Sequence, residues 1–466
     1  MVIFLRKTKI FFINGIILTI TAFVMKSIGM IFNLYVSNKI GSEAVGIFSL
    51  VMSFYLFAIT LATSGLSIAC TCLVSEQFAQ KNFLNGLKAV RSCLLFSLFL
   101  GLGSSSFVIL FSDTIASYCL NSMISSKSLY LISIGLPFIS ISSVMNGYFS
   151  AVRKGYKSAF SQVFELIVKI VATVLLLHFY ANQNVETICI CLILADVISE
   201  ICSCCLLFIL YKIDKINYYN KSISDITFKK RILKITFPVS ITSYIRSGLS
   251  TLKQFLIPNR LVLFGLSYTI ALSEYGKING MTMSVLLFPN VFIGSFSNLL
   301  IPEFSSLMAK QYKKRILEIC QKVFLATSLF SIAIAIIFFF FANEISFMVF
   351  HNLECAKYIR ILSPLILFMY PDNIIDSILK GLNKQFGVMF CNILDLVLMI
   401  AVLYFLLPYL GTNGYLLAIA ISEIFNFCIS FFQLYRATNF KMQLPLIGCY
   451  LFFMFLMFYE ILVFAS

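Results

Sequence analysis

The sequence predicts an all-α, multi-pass membrane protein built from two related six-helix lobes and one further C-terminal helix. Three observations lead to this prediction. Of the 466 residues, 60% are hydrophobic and only 12% are charged, which is about half the charged share of a soluble domain. Apolar stretches of membrane-spanning length recur along the chain, and short motifs recur at a nearly constant interval. A soluble enzyme, a nucleic-acid binder and a disordered chain are therefore excluded as descriptions of the whole chain.

Thirteen apolar runs are candidates for spanning helices, which need about 20 residues each. The first run follows a basic start, MVIFLRKTKI, and continues to residue 37 without a small-residue cleavage site. We therefore interpret it as a retained helix rather than a signal peptide. Several runs contain Pro or Gly, as membrane helices often do. The runs are 10–37, 44–73, 92–112, 128–151, 160–180, 186–211, 234–257, 278–302, 319–342, 358–379, 386–408, 412–435 and 443–464.

The distribution of positive charge predicts the orientation of these helices. Cytoplasmic loops of membrane proteins carry an excess of Lys and Arg. With the N-terminus in the cytoplasm, 25 of the 35 Lys and Arg residues fall in cytoplasmic segments and six in the opposite loops. Because the bias appears in every second loop, the sequence predicts a multi-pass protein of the cell membrane with a cytoplasmic N-terminus.

An internal repeat predicts the division into lobes. Four motifs recur in order at offsets of 223 to 231 residues: ISEI at 198–201 and 421–424, Ser42-Glu43 and Ser273-Glu274, Pro137 and Pro364, and Glu165 and Asp395. Because six is even, both lobes insert the same way up, a parallel repeat that is typical of transporters. The predicted domains are an N-terminal six-helix lobe (1–211), a basic cytoplasmic linker (212–233), a C-terminal six-helix lobe (234–436) and an extra transmembrane helix (437–466).

Four cations lie inside apolar runs, where a charged group costs roughly 2.5–3.5 kcal/mol and usually faces protein or water. Three of them, Lys26, Arg246 and Lys253, lie on helices that the repeat makes equivalent, and the last two share a helix face because they are two turns apart. We interpret them as a cationic lining for a pyrophosphate or another anionic headgroup. For Lys253, snorkelling to lipid headgroups is the alternative.

The fourth cation, Lys169, follows Glu165 at the spacing of an intrahelical ion pair. A structural pair and a functional role are both open for these two residues. On the next helix, Asp196 and Glu200 place two like charges one turn apart, which suggests a shared proton or coupling cation. The alternative is a structural role in each lobe, because Glu423 is the repeat counterpart of Glu200.

The sequence carries no motif for covalent chemistry or for a resident cofactor, so we predict neither an enzyme nor a cofactor. The 14 Cys lie mostly in apolar runs, where a thiol behaves as a small hydrophobe. His178 and His351 are the only histidines, so no metal site is predicted.

Several segments together resemble the stage V sporulation protein B family. The resemblance is carried by IGSEAVGIFSLV (40–51), SVMNGYFSAVRKGYKSAFSQVFELIVKI (143–170), LIPNRLVLFGL (256–266), EYGKINGM (274–281) and LLIPEFSSL (299–307), and it covers about residues 10–440. That family belongs to the multidrug, oligosaccharidyl-lipid and polysaccharide exporter superfamily.

The resemblance implies a two-lobed, V-shaped transporter with its first and seventh helices at the cleft. It also implies movement of a polyprenyl-pyrophosphate-linked sugar, such as a peptidoglycan precursor, across the cytoplasmic membrane by alternating access. Lys26 and Glu43 match positions that matter in lipid-flipping relatives. The chain departs from the family in two respects: it has thirteen candidate helices rather than fourteen, and Asn33-Leu34-Tyr35 stands where a further cation is expected.

We therefore predict a non-enzymatic flippase whose partners are a lipid-linked oligosaccharide, membrane lipids, a coupling H⁺ or Na⁺ and cell-wall synthesis proteins, without nucleic acid. Two alternatives are a cation-coupled multidrug exporter, which predicts an acidic cleft, and a non-transporting membrane enzyme or scaffold in cell-wall or polysaccharide assembly. The predicted roles are substrate binding by Lys26, Arg246, Lys253 and Glu43, gating or structural charge at Glu165, Lys169, Glu274 and Arg260, and ion coupling at Asp196 and Glu200.

Overall fold

The computed structural model describes residues 2–80, 82–118, 126–180, 184–216, 228–440, 442 and 444–463. These residues form helices joined by turns and contain no strand, so the prediction of an all-α chain is confirmed. Contacts between α-carbons divide the helices into two compact units. Unit 1 contains Met1–Met25 and Leu50–Thr251, and unit 2 contains Lys26–Ser49 and Leu252–Ser466.

Seven helices build unit 1, and two of them, the first and the last, continue into unit 2. They are α1 (Val2–Thr63), α2 (Leu66–Ala79), α3 (Phe83–Tyr118), α4 (Ser126–Ala151), α5 (Gly155–Tyr180), α6 (Val185–Ile216) and α7 (Lys229–Leu263).

An apolar core joins α2, α3, α4, α6 and the start of α7 in unit 1. Leu66, Cys70, Val90 and Tyr148 are among its fully buried members. A buried carboxylate on α6 ties that helix to α4 and to the start of α5: Asp214 accepts hydrogen bonds from Lys154 Nζ (2.6 Å), Lys157 Nζ (2.9 Å) and Tyr148 Oη (2.9 Å). The two ammonium groups compensate the cost of burying the Asp214 charge.

Unit 2 adds nine α-helices, one π-helical segment and one 3₁₀ turn. They are α8 (Tyr268–Tyr275), a π-helical segment (Gly276–Thr282), α9 (Met283–Leu286), α10 (Asn290–Ala309), α11 (Lys313–Phe340), α12 (Ala342–Phe350), α13 (Ala356–Leu362), a 3₁₀ turn (Ser363–Leu365), α14 (Ile366–Gly381), α15 (Gln385–Thr438) and α16 (Leu444–Val463).

Glycines in conformations that other residues rarely adopt bend the longest helices. Gly41 (φ 81°) interrupts α1, Gly65 (φ 74°) precedes α2, and Gly411 (φ 55°) interrupts α15. Because glycine has no Cβ, it enters this left-handed region without the steric cost that other residues meet. Long apolar stretches therefore fold as two successive helices instead of one straight rod.

The thirteen predicted runs are helical over most of their described residues, with turns at 64–65, 287–289 and 341. By length and composition, eight helices in the described part of the chain are suited to crossing a membrane, or nine if the pair Tyr268–Leu286 and Asn290–Ser297, bent by 61°, forms one span. This count is lower than thirteen because Phe23–Phe78 and Gln385–Thr438 each contain two predicted runs. In addition, α7 is rich in Ser and Thr and has a low mean hydropathy, and the apolar stretch Pro445–Ile461 is short.

The contact units differ from the predicted lobe boundary at 212–233. The α7 residues up to Thr251 pack in unit 1, where Ser240 Oγ donates to the Ser64 carbonyl (3.0 Å) and Thr251 Oγ1 to the Ser53 carbonyl (3.0 Å). The residues Lys26–Ser49 pack in unit 2. The six-plus-six division describes a sequence repeat, whereas the units describe packing, and the lobe boundaries stay a prediction.

Candidate functional site

Three of the four cations predicted inside apolar runs have no carboxylate within ion-pairing distance in the described part of the chain. Lys26 is exposed on α1, and its Nζ lies 3.7 Å from the position that a Cβ on Gly294 of α10 would occupy. Arg246 is exposed on the unit 1 part of α7, and Lys253 is half-buried on its unit 2 part. Lys26 and Arg246 can therefore neutralise an external anion, and Lys253 does so while also lying within electrostatic range of Asp395 and Glu423.

The fourth cation, Lys169, is committed to an acid. Its Nζ lies 2.6 Å from Asp196 Oδ1 on α6, and the carboxylate side chain is 5% exposed. Glu165 is hydrogen-bonded to Ser203 and interacts with Lys169 only electrostatically. The intrahelical Glu165–Lys169 ion pair is thus replaced by an interhelical one, because α5 and α6 pack side by side and bring the deeper carboxylate within reach.

This charge cluster borders a cavity of about 600 Å³ in unit 1. Glu165, Lys169 and Glu200 line the cavity wall, and Asp196 lies behind them, bound to Lys169. Neutral polar side chains, including Ser142 and Asn146, complete the lining. With three acids and one base, the cluster carries an excess of negative charge when its groups are ionised.

Two oxygen atoms beside this cavity lack hydrogen-bond partners. They are Asp196 Oδ2 and the hydroxyl of Tyr55, a residue that is 3% exposed and interacts electrostatically with Glu165, Asp196 and Glu200. Buried polar atoms are normally satisfied, so these oxygens are available to a proton or a small cation. Tyr55 was missed by sequence reasoning because a lone tyrosine in an apolar run is indistinguishable from core packing.

Unit 2 has acids of its own: Asp395 and Glu423 are the repeat counterparts of Glu165 and Glu200, and Asp372 lies outside the repeated motifs. Asp395 accepts a hydrogen bond from Ser422, and Asp372 accepts one from Asn426 Nδ2 at 2.9 Å. Lys253 interacts with Asp395 and Glu423 electrostatically, without an ion pair. In unit 2, neutral side chains therefore stabilise Asp395 and Asp372, whereas in unit 1 the ammonium group of Lys169 stabilises Asp196.

Glu274, one of the predicted gating or structural charges, lies in a separate cluster in unit 2. Glu274 accepts hydrogen bonds from Tyr358 Oη and from Lys277 Nζ (3.2 Å), and Lys277 also pairs with Glu354 at 2.8 Å. Glu354 and Tyr358 were not identified from the sequence, since they lie about 80 residues from Glu274. The network ties α13 to the turn between α8 and the π-helical segment.

The repeated Ser-Glu motifs meet in the same unit. Ser42 Oγ and Ser273 Oγ are 2.7 Å apart. Glu43 is half-buried beside this contact. The remaining predicted gate residue, Arg260, stacks on Tyr404, with its guanidinium carbon 3.5 Å from the ring centroid. The structure therefore gives Arg260 an aromatic partner, and Glu43 and Glu274 each follow a serine of the repeat contact.

Comparison with known proteins identifies the family. The model of the polysaccharide biosynthesis protein family matches residues 12–308. Stage V sporulation protein B of Bacillus subtilis (strain 168) is 24% identical over 418 residues, which cover 88% of this chain and 80% of that protein. Sporulation protein YkvU of the same organism is 22% identical, covering 77% of this chain and 79% of the relative.

The fold is similar to that of a solved exporter. The inward-facing conformation of a multidrug resistance MATE family transporter of the MOP superfamily superposes with a TM-score of 0.68 at 12% identity. The match covers 90% of this chain and 96% of that structure. Together with the apolar helices, this likeness confirms the predicted exporter fold and a multi-pass membrane protein.

Proposed function

Starting from a chain that belongs to the polysaccharide biosynthesis protein family and has the exporter fold, we propose that it is a flippase for a polyprenyl-pyrophosphate-linked sugar. The observation that carries the proposal is the contrast among its intramembrane cations. Lys169 is neutralised by Asp196, whereas Lys26, Arg246 and Lys253 have no carboxylate partner among the described residues. Unpaired cations are costly in a membrane and are retained where a substrate supplies the counter-charge.

Pyrophosphate is the anion that suits these side chains best. Arg binds phosphate oxygens in a bidentate fork, and Lys supplies a compact point charge. The apolar tail of the substrate needs no protein site, because it can stay in the bilayer while the two units change their arrangement. In this proposal, the N-terminus is cytoplasmic and the substrate is loaded from that side, with alternating access carrying the headgroup across.

The unit 1 cavity is the proposed coupling site. Asp196 and Glu200 would take up H⁺ or Na⁺ beside Lys169. Occupation by a cation would weaken the hold of Asp196 on Lys169, which links cation binding to the packing of α5 against α6. Glu43 and Glu274 are the proposed gate acids.

Flipping in proteoliposomes tests the proposal. A lipid-linked disaccharide labelled on its sugar is protected from a membrane-impermeant quencher when it faces the lumen, so the rate of quenching reports flipping. Loss of one charged hydrogen bond costs about 1.5–3 kcal/mol, so the double variant Lys26→Ala/Arg246→Ala should slow flipping by more than about tenfold. The matched control Lys310→Ala/Lys314→Ala removes two exposed cations from the α10–α11 connection and should leave the rate unchanged. Wild-type flipping by the first variant would refute the substrate site.

Export of organic cations is a second candidate, favoured by the excess of acids in the unit 1 cavity. It predicts that lipophilic cations compete with the coupling ion and are themselves transported. The same vesicles, loaded with a fluorescent organic cation, distinguish the two functions. The family and the fold favour either kind of transport over a membrane enzyme or a cell-wall scaffold.

A further inference from the structure

Unit 2 contains a second cavity, smaller than the one in unit 1 and of different chemistry. Its volume is about 190 Å³, which corresponds to about six water molecules. Asn33, Ser37 and Ser49 of α1 line one side, and Asn279 of the π-helical segment and Ser284 of α9 line the other. None of the side chains that line this cavity is ionisable.

Most of the hydrogen-bonding capacity in this cavity is unused. In the part of the chain that the structure describes, the side chains of Asn33, Ser37 and Ser49 form no hydrogen bond. Asn279 Nδ2 donates to Tyr275 Oη (3.0 Å), which leaves its carbonyl oxygen free, and Ser284 Oγ donates to the Gly280 carbonyl (2.6 Å). The cavity thus presents both amide donors and oxygen acceptors without internal partners.

Two glycines allow the backbone segments around the cavity to approach each other closely. A Cβ on Gly276 would lie 2.1 Å from the Ser42 carbonyl oxygen, and one on Gly46 would lie 2.2 Å from the Leu272 carbonyl oxygen. Directly after this crossing, the chain forms the π-helical segment that carries Asn279 into the cavity wall. Single π-helical turns are rare and occur frequently at functional sites.

The chemistry of the lining selects the ligand. A phosphate or a metal ion needs charged partners, which this cavity lacks, and an apolar ligand would leave the side chains of Asn33, Ser37 and Ser49 without partners. A sugar ring has hydroxyl and acetamido groups at its rim and an apolar face, which the ring of Phe48 in the cavity wall can cover. We infer that this cavity is a binding subsite for one neutral sugar ring, with Asn33 and Asn279 as its principal hydrogen-bonding residues.

This inference rests on the proposed function and extends it to the sugar itself. Asn33 follows Lys26 by seven residues, so the two side chains share a helix face about 10 Å apart along α1. That spacing suits a headgroup whose phosphates bind at Lys26 and whose sugar extends toward Asn33. The Asn33 amide both donates and accepts hydrogen bonds without carrying charge, which suits the hydroxyl groups of a neutral ring.

The chain contains no tryptophan, so one introduced indole reports on the cavity without background. In the purified full-length Phe48→Trp variant, titration with free N-acetylglucosamine should give a saturable change in fluorescence. Adding Asn33→Leu or Asn279→Leu should weaken the apparent affinity by at least about tenfold, the effect of removing one well-made hydrogen bond. The matched reporter Phe330→Trp lies in an apolar groove of the same unit and should not respond.

Three outcomes would overturn the inference: no saturable response in a folded Phe48→Trp protein, an equal response to glycerol, or an equal response from Phe330→Trp. Thermal stabilisation of the unmodified chain by the sugar is the second measurement, should the indole disturb the fold. Flipping with a flat sugar titration would refute the subsite alone, whereas sugar binding without flipping would refute the proposed function alone.

Discussion

The two units neutralise their buried acids differently. In unit 1, Asp196 is held by the ammonium of Lys169 at 2.6 Å beside a cavity of about 600 Å³. In unit 2, Asp395 accepts a hydrogen bond from Ser422 and Asp372 accepts one from Asn426, and Lys253 interacts with Asp395 without an ion pair. Asp196, the acid with a charged partner, has no acidic counterpart among the repeated motifs, so this difference between the units comes from an acid that only unit 1 has.

The largest expected effect is a loss of stability when Lys169, the cation paired with Asp196 in unit 1, is replaced. Lys169→Met leaves Asp196 buried without its counter-charge, and breaking a buried pair costs about 3 kcal/mol when one member is partly exposed. Lys253→Met removes no ion pair and should cost less than about 1 kcal/mol. The midpoint of thermal unfolding, followed by the reaction of buried cysteines such as Cys189 and Cys391 with a fluorogenic maleimide, measures both variants.

A second substitution separates charge from packing in this test. Lys169→Met/Asp196→Asn removes both members of the pair and should recover most of the lost stability, because no uncompensated charge remains. Equal midpoints of thermal unfolding for Lys169→Met and Lys253→Met would contradict this electrostatic difference between the units.

A close glycine contact in each unit gives the next largest effect. A Cβ on Gly276 in unit 2 would meet the Ser42 carbonyl oxygen at 2.1 Å, and a Cβ on Gly147 in unit 1 would meet the Ser67 carbonyl oxygen at 2.5 Å. Both neighbours are backbone atoms and cannot rotate away. We expect Gly276→Ala to cost about 2 kcal/mol and Gly147→Ala about 1 kcal/mol, within the range of overpacking.

The controls for this pair are Gly29→Ala in unit 2 and Gly103→Ala in unit 1, since an added Cβ at either position meets no atom within 4 Å. Alanine favours helix more than glycine does, so both controls should keep or raise the unfolding midpoint. A larger loss at Gly147 than at Gly276 would mean that the tighter contact in unit 2 relaxes more easily than its geometry indicates.

The sequence predicts the helices of both units well and their contacts poorly. Apolar length is a local property, so all thirteen runs were recognisable, and the repeat located the acids at Glu165 and Asp395. The bends at Gly41 and Gly411 were not predicted, because glycine is common in straight membrane helices too.

The partners of the charged residues could not be read from spacing. Glu165 and Lys169 have an ideal intrahelical interval, yet Lys169 binds Asp196, 27 residues away, because helix packing determines which carboxylate lies closer. The cavity around Asn33 and Asn279 could not be predicted either, since it joins segments about 250 residues apart and none of its lining side chains is charged.

The smallest expected effect is on the coupling of flipping to a cation gradient. It tests whether unit 1 alone takes up the driving cation. If the unit 1 cavity takes up the driving cation, Asp196→Asn should reduce the acceleration of flipping by a Na⁺ or H⁺ gradient by about tenfold, in the range of a typical coupling free energy. Asp395→Asn in unit 2 keeps a hydrogen-bonding side chain beside Ser422 and should leave that acceleration intact. Gradient-driven and gradient-free flipping rates, measured in the same vesicles, separate coupling from substrate binding because only the first depends on the gradient. A loss of gradient dependence in Asp395→Asn but not in Asp196→Asn would place the coupling ion in unit 2, where acids with neutral partners would then be the more accessible ligands.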